Sequence, residues 1–136
     1  MKLSEIIAKY SSQDEFLSAL KSEVIKLGTE NPDFIYNPGN LGLCSYNGPA
    51  YRTNNTDWLN PIKKTVGPEC KGCIFGQALQ NMGWNPEEEL IGSISTVLRN
   101  HEFHYTKLDV FQEIQNDQDK GLSWGEAIKP LFRKVV

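Results

Sequence analysis

The chain has 136 residues, 39% of them apolar and 23% charged, with a formal net charge of −3. That length argues for a single domain over 1–136, and the apolar fraction suffices for a compact fold rather than wholesale disorder. No apolar run approaches the roughly 20 residues of a membrane span, and mild acidity argues against a dedicated duplex-DNA binder. The opening Met1-Lys2-Leu3-Ser4-Glu5 lacks the apolar stretch of a secretory signal, so a soluble, cytoplasmic protein with no membrane partner is expected.

The N-terminal part, 3–28, reads as helical. A short helix covers Leu3 to Lys9. Ser12 followed by Glu15 is a capping-box pattern, in which each side chain satisfies the other's free amide. Behind it Phe16, Leu17, Leu20, Val24 and Leu27 recur at three- and four-residue steps, and Gly28 stands where a left-handed cap would end the helix. After Asn31-Pro32, Asp33-Phe34-Ile35-Tyr36 reads as a short strand. Leu41 to Tyr46, returning through Asn47-Gly48 toward Tyr51, reads as a second strand or hairpin.

Composition changes between Asn37 and Gly72. Those 36 positions hold six Asn, five Gly and four Pro, which supply tight turns rather than buried surface. Tyr46, Tyr51 and Trp58 are interleaved, so the expectation is an ordered, aromatic-bearing loop within the strand-and-loop region 33–72. Between Arg52 and Lys71 the local charge is +2, from Arg52, Lys63, Lys64 and Lys71 against Asp57 and Glu69. The remainder of the chain therefore carries −5.

Helix returns over 73–134. Ile74, Phe75, Ala78, Leu79 and Met82 form one face ended by Gly83. Asn85-Pro86-Glu87 has the form of a helix start, with a cap, a proline at the first position and acids against the positive dipole end, and Ile91, Ile94, Val97 and Leu98 continue it to Arg99. Another helix runs from Lys107 through Leu108, Phe111, Ile114 and Gln115 toward Gly121. Ser123 with Glu126 opens a last one, which Pro130 shortens. The expected fold is α+β: a mostly helical single domain with a small two- or three-stranded antiparallel sheet and a long structured loop.

Three constellations bear on chemistry. Cys70 and Cys73 at C-x-x-C spacing, with His101 and His104, form a zinc set, for which Cys44 is an alternative ligand. The two-residue gap between the histidines is shorter than the usual three to five, and the plainer reading has Cys73 packed at a helix start and both histidines at a helix exit. Thiols are expected reduced, and three cysteines leave one over in any pairing. Cys73 at a helix N-terminus with His101 or His104 as base is the arrangement of a thiol hydrolase, but the strand that carries the histidine in papain-like folds is not visible. No cofactor is called for, zinc being the alternative.

The third constellation is Tyr46, Tyr51, Arg52, Trp58, Lys63 and Lys64. Aromatic faces beside cations suit a nucleotide-like ligand, and the same residue types dominate protein interfaces. The alternative is that these rings only pack the loop onto the helices.

Two segments carry a resemblance. Cys73-Ile74-Phe75-Gly76-Gln77-Ala78-Leu79 to Gly83 follows C-x-x-G-x-A-L-x-x-x-G, and Gln115 to Trp124 follows Q-x-x-Q-D-x-G-x-x-W. With Phe34-Ile35-Tyr36 and the Cys44-x-Tyr46 pair, they resemble small uncharacterised proteins of phage and actinobacterial genomes. The resemblance implies a phage or mobile-element origin and no activity. The expected function is that of a non-catalytic binding protein engaging a host protein or a nucleotide-like ligand through Asn37–Gly72, with a Cys73-dependent hydrolase or a small zinc-stabilised domain as the alternatives; counter-defence or immune evasion is the version the resemblance implies. Gln118, Asp119 and Trp124 either line a shared pocket or form a helix–turn–helix corner, with Gly121 and Ser123 as caps.

Overall fold

A computed structural model describes residues 1–36, 46, 73–90 and 92–132. Six α-helices follow one another among them: α1 (Leu3–Ala8), α2 (Gln13–Glu30), α3 (Ile74–Asn81), α4 (Ile94–Arg99), α5 (Asp109–Asp119) and α6 (Trp124–Ala127). Single 3-10 turns lie at Tyr105–Lys107 and Lys129–Phe132. The long α2 packs on α3 and α6, and α5 packs on α3, α4 and α6. Between them lies one apolar core, to which Phe16, Phe75, Phe103, Phe111 and Trp124 contribute the large rings. Phe75 and Phe111 meet edge-on at 5.7 Å, an arrangement aromatic quadrupoles favour.

The expected antiparallel sheet is absent from the described residues, so the fold is helical rather than α+β. The 33–36 segment makes one isolated antiparallel bridge, Ile35 with Ser123. Its neighbouring carbonyls are taken by a helix start instead of a strand: Trp124 N donates to Phe34 O at 2.8 Å and Gly125 N to Pro32 O at 3.0 Å. These amides open α6 and have no partner inside their own helix. Apolar enrichment over Phe34-Ile35-Tyr36 therefore reflects a docked extended segment, with Phe34 against Trp124 at 4.5 Å and Tyr36 buried. The second strand or hairpin expected over Leu41 to Tyr51 lies outside the described residues, apart from Tyr46.

Two further expectations change for identifiable reasons. Gly28 does not end α2, which continues to Glu30 before Asn31 caps it. Gly28 is instead a point of close approach: a Cβ there would stand 2.6 Å from Ile128 Cδ1. Asn85-Pro86-Glu87 begins a turn rather than a helix. Asn85 Oδ1 accepts from Glu87 N at 3.0 Å, while Glu88 Oε1 accepts from Leu3 N at 2.8 Å and from Trp84 Nε1 at 2.9 Å. Glu88 is thus spent on the start of α1, and the next helix waits for Ser93, whose Oγ accepts from Thr96 N.

The capping pattern of α2 holds with a shift of one residue. Ser12 Oγ accepts from Glu15 N, and the Glu15 carboxylate reaches Ser11 N. Helices α3, α4 and α5 end alike, each in paired bonds that fold the chain back over its last turn. Trp84 N donates to Leu79 O, Phe103 N to Leu98 O, and Leu122 N to Asp117 O. The left-handed residue is Gly83 in the first and Gly121 in the third. In the second it is Glu102, at φ 69°.

Candidate functional site

A polar layer of glutamines, buried at Gln115 and Gln118, runs along α5. Gln112, Gln115 and Gln118 are three residues apart, so one face of α5 carries all three. Each turns its carbonyl oxygen to the start of another helix. Gln118 Oε1 accepts from Ile74 N at 2.7 Å, Gln115 Oε1 from Ile94 N at 2.7 Å, and Gln112 Oε1 from Ser95 N at 3.2 Å. The opening amides of α3 and α4 are orphan donors, and α5 satisfies them from a distance. Gln118 and Gln115 are buried among apolar residues, where an unbonded amide would be costly.

Tyr46 completes this layer. Its hydroxyl donates to Gly92 O at 2.8 Å and accepts from Gln115 Nε2 at 3.0 Å, and its own carbonyl accepts from Gln80 Nε2 at 3.2 Å. Burial, reinforced by Asp119 and Tyr36 and only partly opposed by the Gln115 bond, pushes the hydroxyl well above the usual tyrosine range. It is a neutral phenol throughout the physiological range. Gly76 makes room for it: a Cβ at that position would stand 2.6 Å from both the carbonyl carbon and the Cα of Tyr46. The glycine of the C-x-x-G segment is therefore the seat of the Tyr46 backbone.

Gln118 also accepts from Trp124 Nε1 at 3.0 Å and donates to Asp119 Oδ1 at 3.1 Å. The Q-x-x-Q-D-x-G-x-x-W segment is thus the corner between α5 and α6, tied across to α3. No described buried side-chain nitrogen or oxygen lacks a partner.

The candidate site residues fall into separate places. Of the ligand set, Tyr46 is in the core and offers no exposed face. Tyr51, Arg52, Trp58, Lys63 and Lys64 lie outside the described residues, as do Cys44 and Cys70. Cys73 is fully buried as the N-cap residue of α3 and is disulfide-bonded, contrary to the expectation of reduced thiols. In that state its sulfur is neither a nucleophile nor a zinc ligand. His101 is half-buried at the exit of α4 and His104 is exposed. His104 Nδ1 accepts from Thr106 N at 3.3 Å and stands 2.8 Å from Thr106 Oγ1, and its ring stacks on Tyr105. It serves there as a cap for the turn at Tyr105–Lys107. Among the described residues no three His, Cys, Asp or Glu side chains gather as a metal site requires.

The glutamine face was detectable as polar residues sharing a helix side with Phe111 and Ile114, a pattern that a purely apolar reading of α5 passes over. No helix among the described residues is long and apolar enough to cross a membrane. No family model, curated protein or solved structure matches the chain.

Proposed function

We propose that the protein is a small non-catalytic binding protein that engages its partner through the 37–72 segment. One observation carries this reading: Cys73, His104, Tyr46 and the α5 glutamines are engaged within the helical body. Cys73 is buried in a disulfide, His104 caps a turn, and Tyr46 and the α5 glutamines hold helix starts together. The cations and rings of the third constellation, Tyr51, Arg52, Trp58, Lys63 and Lys64, all belong to 37–72. The residues that flank it, Tyr36 and Cys73, are buried, as is Tyr46 within it. Long loops on a packed scaffold commonly carry binding residues.

The partner is a host protein or a nucleotide-like ligand. In the version the motif resemblance favours, the chain is phage-encoded and acts in the host cytoplasm against a defence factor or signal. A thermal-shift panel of nucleotides tests the reading. A rise in melting temperature that Trp58→Ala or the Lys63→Ala/Lys64→Ala pair abolishes, with far-UV circular dichroism unchanged, supports a nucleotide-like ligand. A flat panel directs the search to a protein partner. Hydrolysis of an ester or amide substrate that disappears in Cys73→Ser would overturn the non-catalytic reading.

A further inference from the structure

We infer that the seat of Tyr46 is a tyrosine-recognition site of the helical body, which takes a tyrosyl residue of another polypeptide when Tyr46 does not fill it. The groups that hold Tyr46 come from three places: Gly76 and Gln80 on α3, Gln115 on α5, and the Gly92 carbonyl just ahead of α4. They read both halves of a tyrosyl residue. Gly92 O accepts from the hydroxyl at 2.8 Å while Gln115 Nε2 donates to it at 3.0 Å. Gln80 Nε2 donates to the main-chain carbonyl at 3.2 Å, and the missing Cβ of Gly76 leaves room for the main chain itself.

The amide or backbone that presents each group is fixed by a contact that does not involve Tyr46. Gln115 Oε1 accepts from Ile94 N at 2.7 Å, which aims the Nε2 end of the same amide at the hydroxyl. Gly92 sits at φ 100°, a left-handed conformation that glycine adopts freely, and Ser93 beside it is tied down as the cap of α4 by Thr96 N. Gly76 and Gln80 ride on α3, whose opening amide is held by Gln118 Oε1 at 2.7 Å. The site is thus built by contacts between helices, and a residue arriving from a different chain meets the same groups in the same places. A preorganised site loses little entropy on binding.

The ligand class follows from the two hydroxyl bonds. A phenylalanyl residue leaves the buried Gln115 amide and the Gly92 carbonyl unpaired, and a site built around a hydroxyl rejects the analogue that lacks it. Phosphotyrosine is rejected as well, because its dianion has no proton to give Gly92 O and would be buried without a cation. In the intact chain Tyr46 is tethered beside its own seat, at an effective concentration that keeps a free tyrosine out. Entry of a partner's tyrosine is therefore an exchange of like for like. The three hydrogen bonds lost with Tyr46 are regained with the incoming residue.

The test uses the full chain carrying Tyr46→Gly, with N-acetyltyrosinamide as the probe. No nucleotide or host protein is present, so the outcome is independent of the partner proposed for 37–72. N-acetyltyrosinamide is expected to raise the melting temperature of Tyr46→Gly in a saturable way, and N-acetylphenylalaninamide to act about tenfold more weakly or less still. The parent, with Tyr46 in its seat, is expected to show no shift at the same concentrations. Should Tyr46→Gly not fold alone, recovery of its far-UV helix signal with N-acetyltyrosinamide, and not with the phenylalanine analogue, is the equivalent positive result. Equal responses to the two amides, an equal response of the parent, a response to p-cresol but not to N-acetyltyrosinamide, or neither shift nor recovery up to the solubility limit would each overturn the site.

Discussion

Replacing Gly76 by alanine isolates the point on which the seating of Tyr46 depends. In a solvent-facing helix position this change stabilises by about 1 kcal/mol, because alanine is the better helix former. Here the added Cβ meets the backbone of Tyr46, whose carbonyl carbon and Cα lie 2.6 Å from the Cβ position, and backbone cannot rotate out of the way as a side chain can. Tyr46 must lift off α3. Three hydrogen bonds then go, Tyr46 to Gly92, Gln115 to Tyr46 and Gln80 to Tyr46, at about 1 kcal/mol each. Exposing the ring of a residue that is now 2% accessible adds about 2 kcal/mol. Against the helix gain, the net loss is about 4 kcal/mol. For a domain of this size, with a urea slope of about 2 kcal/mol/M, the midpoint falls by roughly 2 M. Urea titration followed by far-UV circular dichroism reads this directly, and Tyr46→Ala in the Gly76→Ala background should add less than about 1 kcal/mol, since both changes remove the same contacts. A Gly76→Ala protein within about 1 kcal/mol of the parent, or full additivity with Tyr46→Ala, would show that Tyr46 is not seated on Gly76.

Three other outcomes follow from the same structure. Gln118→Ala strands two buried donors, Ile74 N and Trp124 Nε1, and is expected to cost about 2–5 kcal/mol in urea unfolding, whereas Gln112→Ala, at a half-buried position with a longer bond, costs about 1 kcal/mol or less. Glu102→Gly is expected to stabilise by about 0.5–1 kcal/mol, because the residue occupies the left-handed position at the end of α4 and no described side-chain bond is lost; a drop in midpoint would refute this. Hydrogen bonds from the Ser11 hydroxyl and amide hold the Glu15 carboxyl below its ordinary value of 4.5, so the carboxylate's contribution is present above that value and is lost as pH falls through the lower folded one. The midpoint difference between parent and Glu15→Gln should accordingly be constant at neutral pH and shrink below about pH 4.5.

What the sequence made legible was the local signal at helix ends. Ser12 and Ser123 accept the amides that their positions imply, and Gly83 and Gly121 stand just past the ends of α3 and α5. Misreadings arose where a local signal was spent on a distant partner. Asn85-Pro86-Glu87 carries every mark of a helix start, yet Glu88 is drawn to Leu3 and Trp84, 85 and 4 positions away in sequence. The apolar run at Phe34 to Tyr36 has strand character, but its carbonyls meet the opening amides of α6. Gly28 and Gly76 look like caps or neutral motif positions, and both are points where another segment of chain needs the space of a missing Cβ. The glutamines of α5 follow the same rule in reverse. A polar residue on an apolar helix face reads as a blemish until the unpaired amides of α3 and α4 are placed opposite it, and those amides belong to segments remote in sequence. The two motif segments, C-x-x-G and Q-x-x-Q-D-x-G-x-x-W, thus gain a common physical meaning. The first provides the cap residue, the opening amide and the seat for Tyr46, and the second provides the acceptors that hold that amide and, through Gln115, the Tyr46 hydroxyl. Together they build the platform on which Tyr46 is seated, so a substitution in either, Gly76→Ala or Gln115→Ala, should loosen Tyr46 even though the two segments lie some 40 residues apart in sequence.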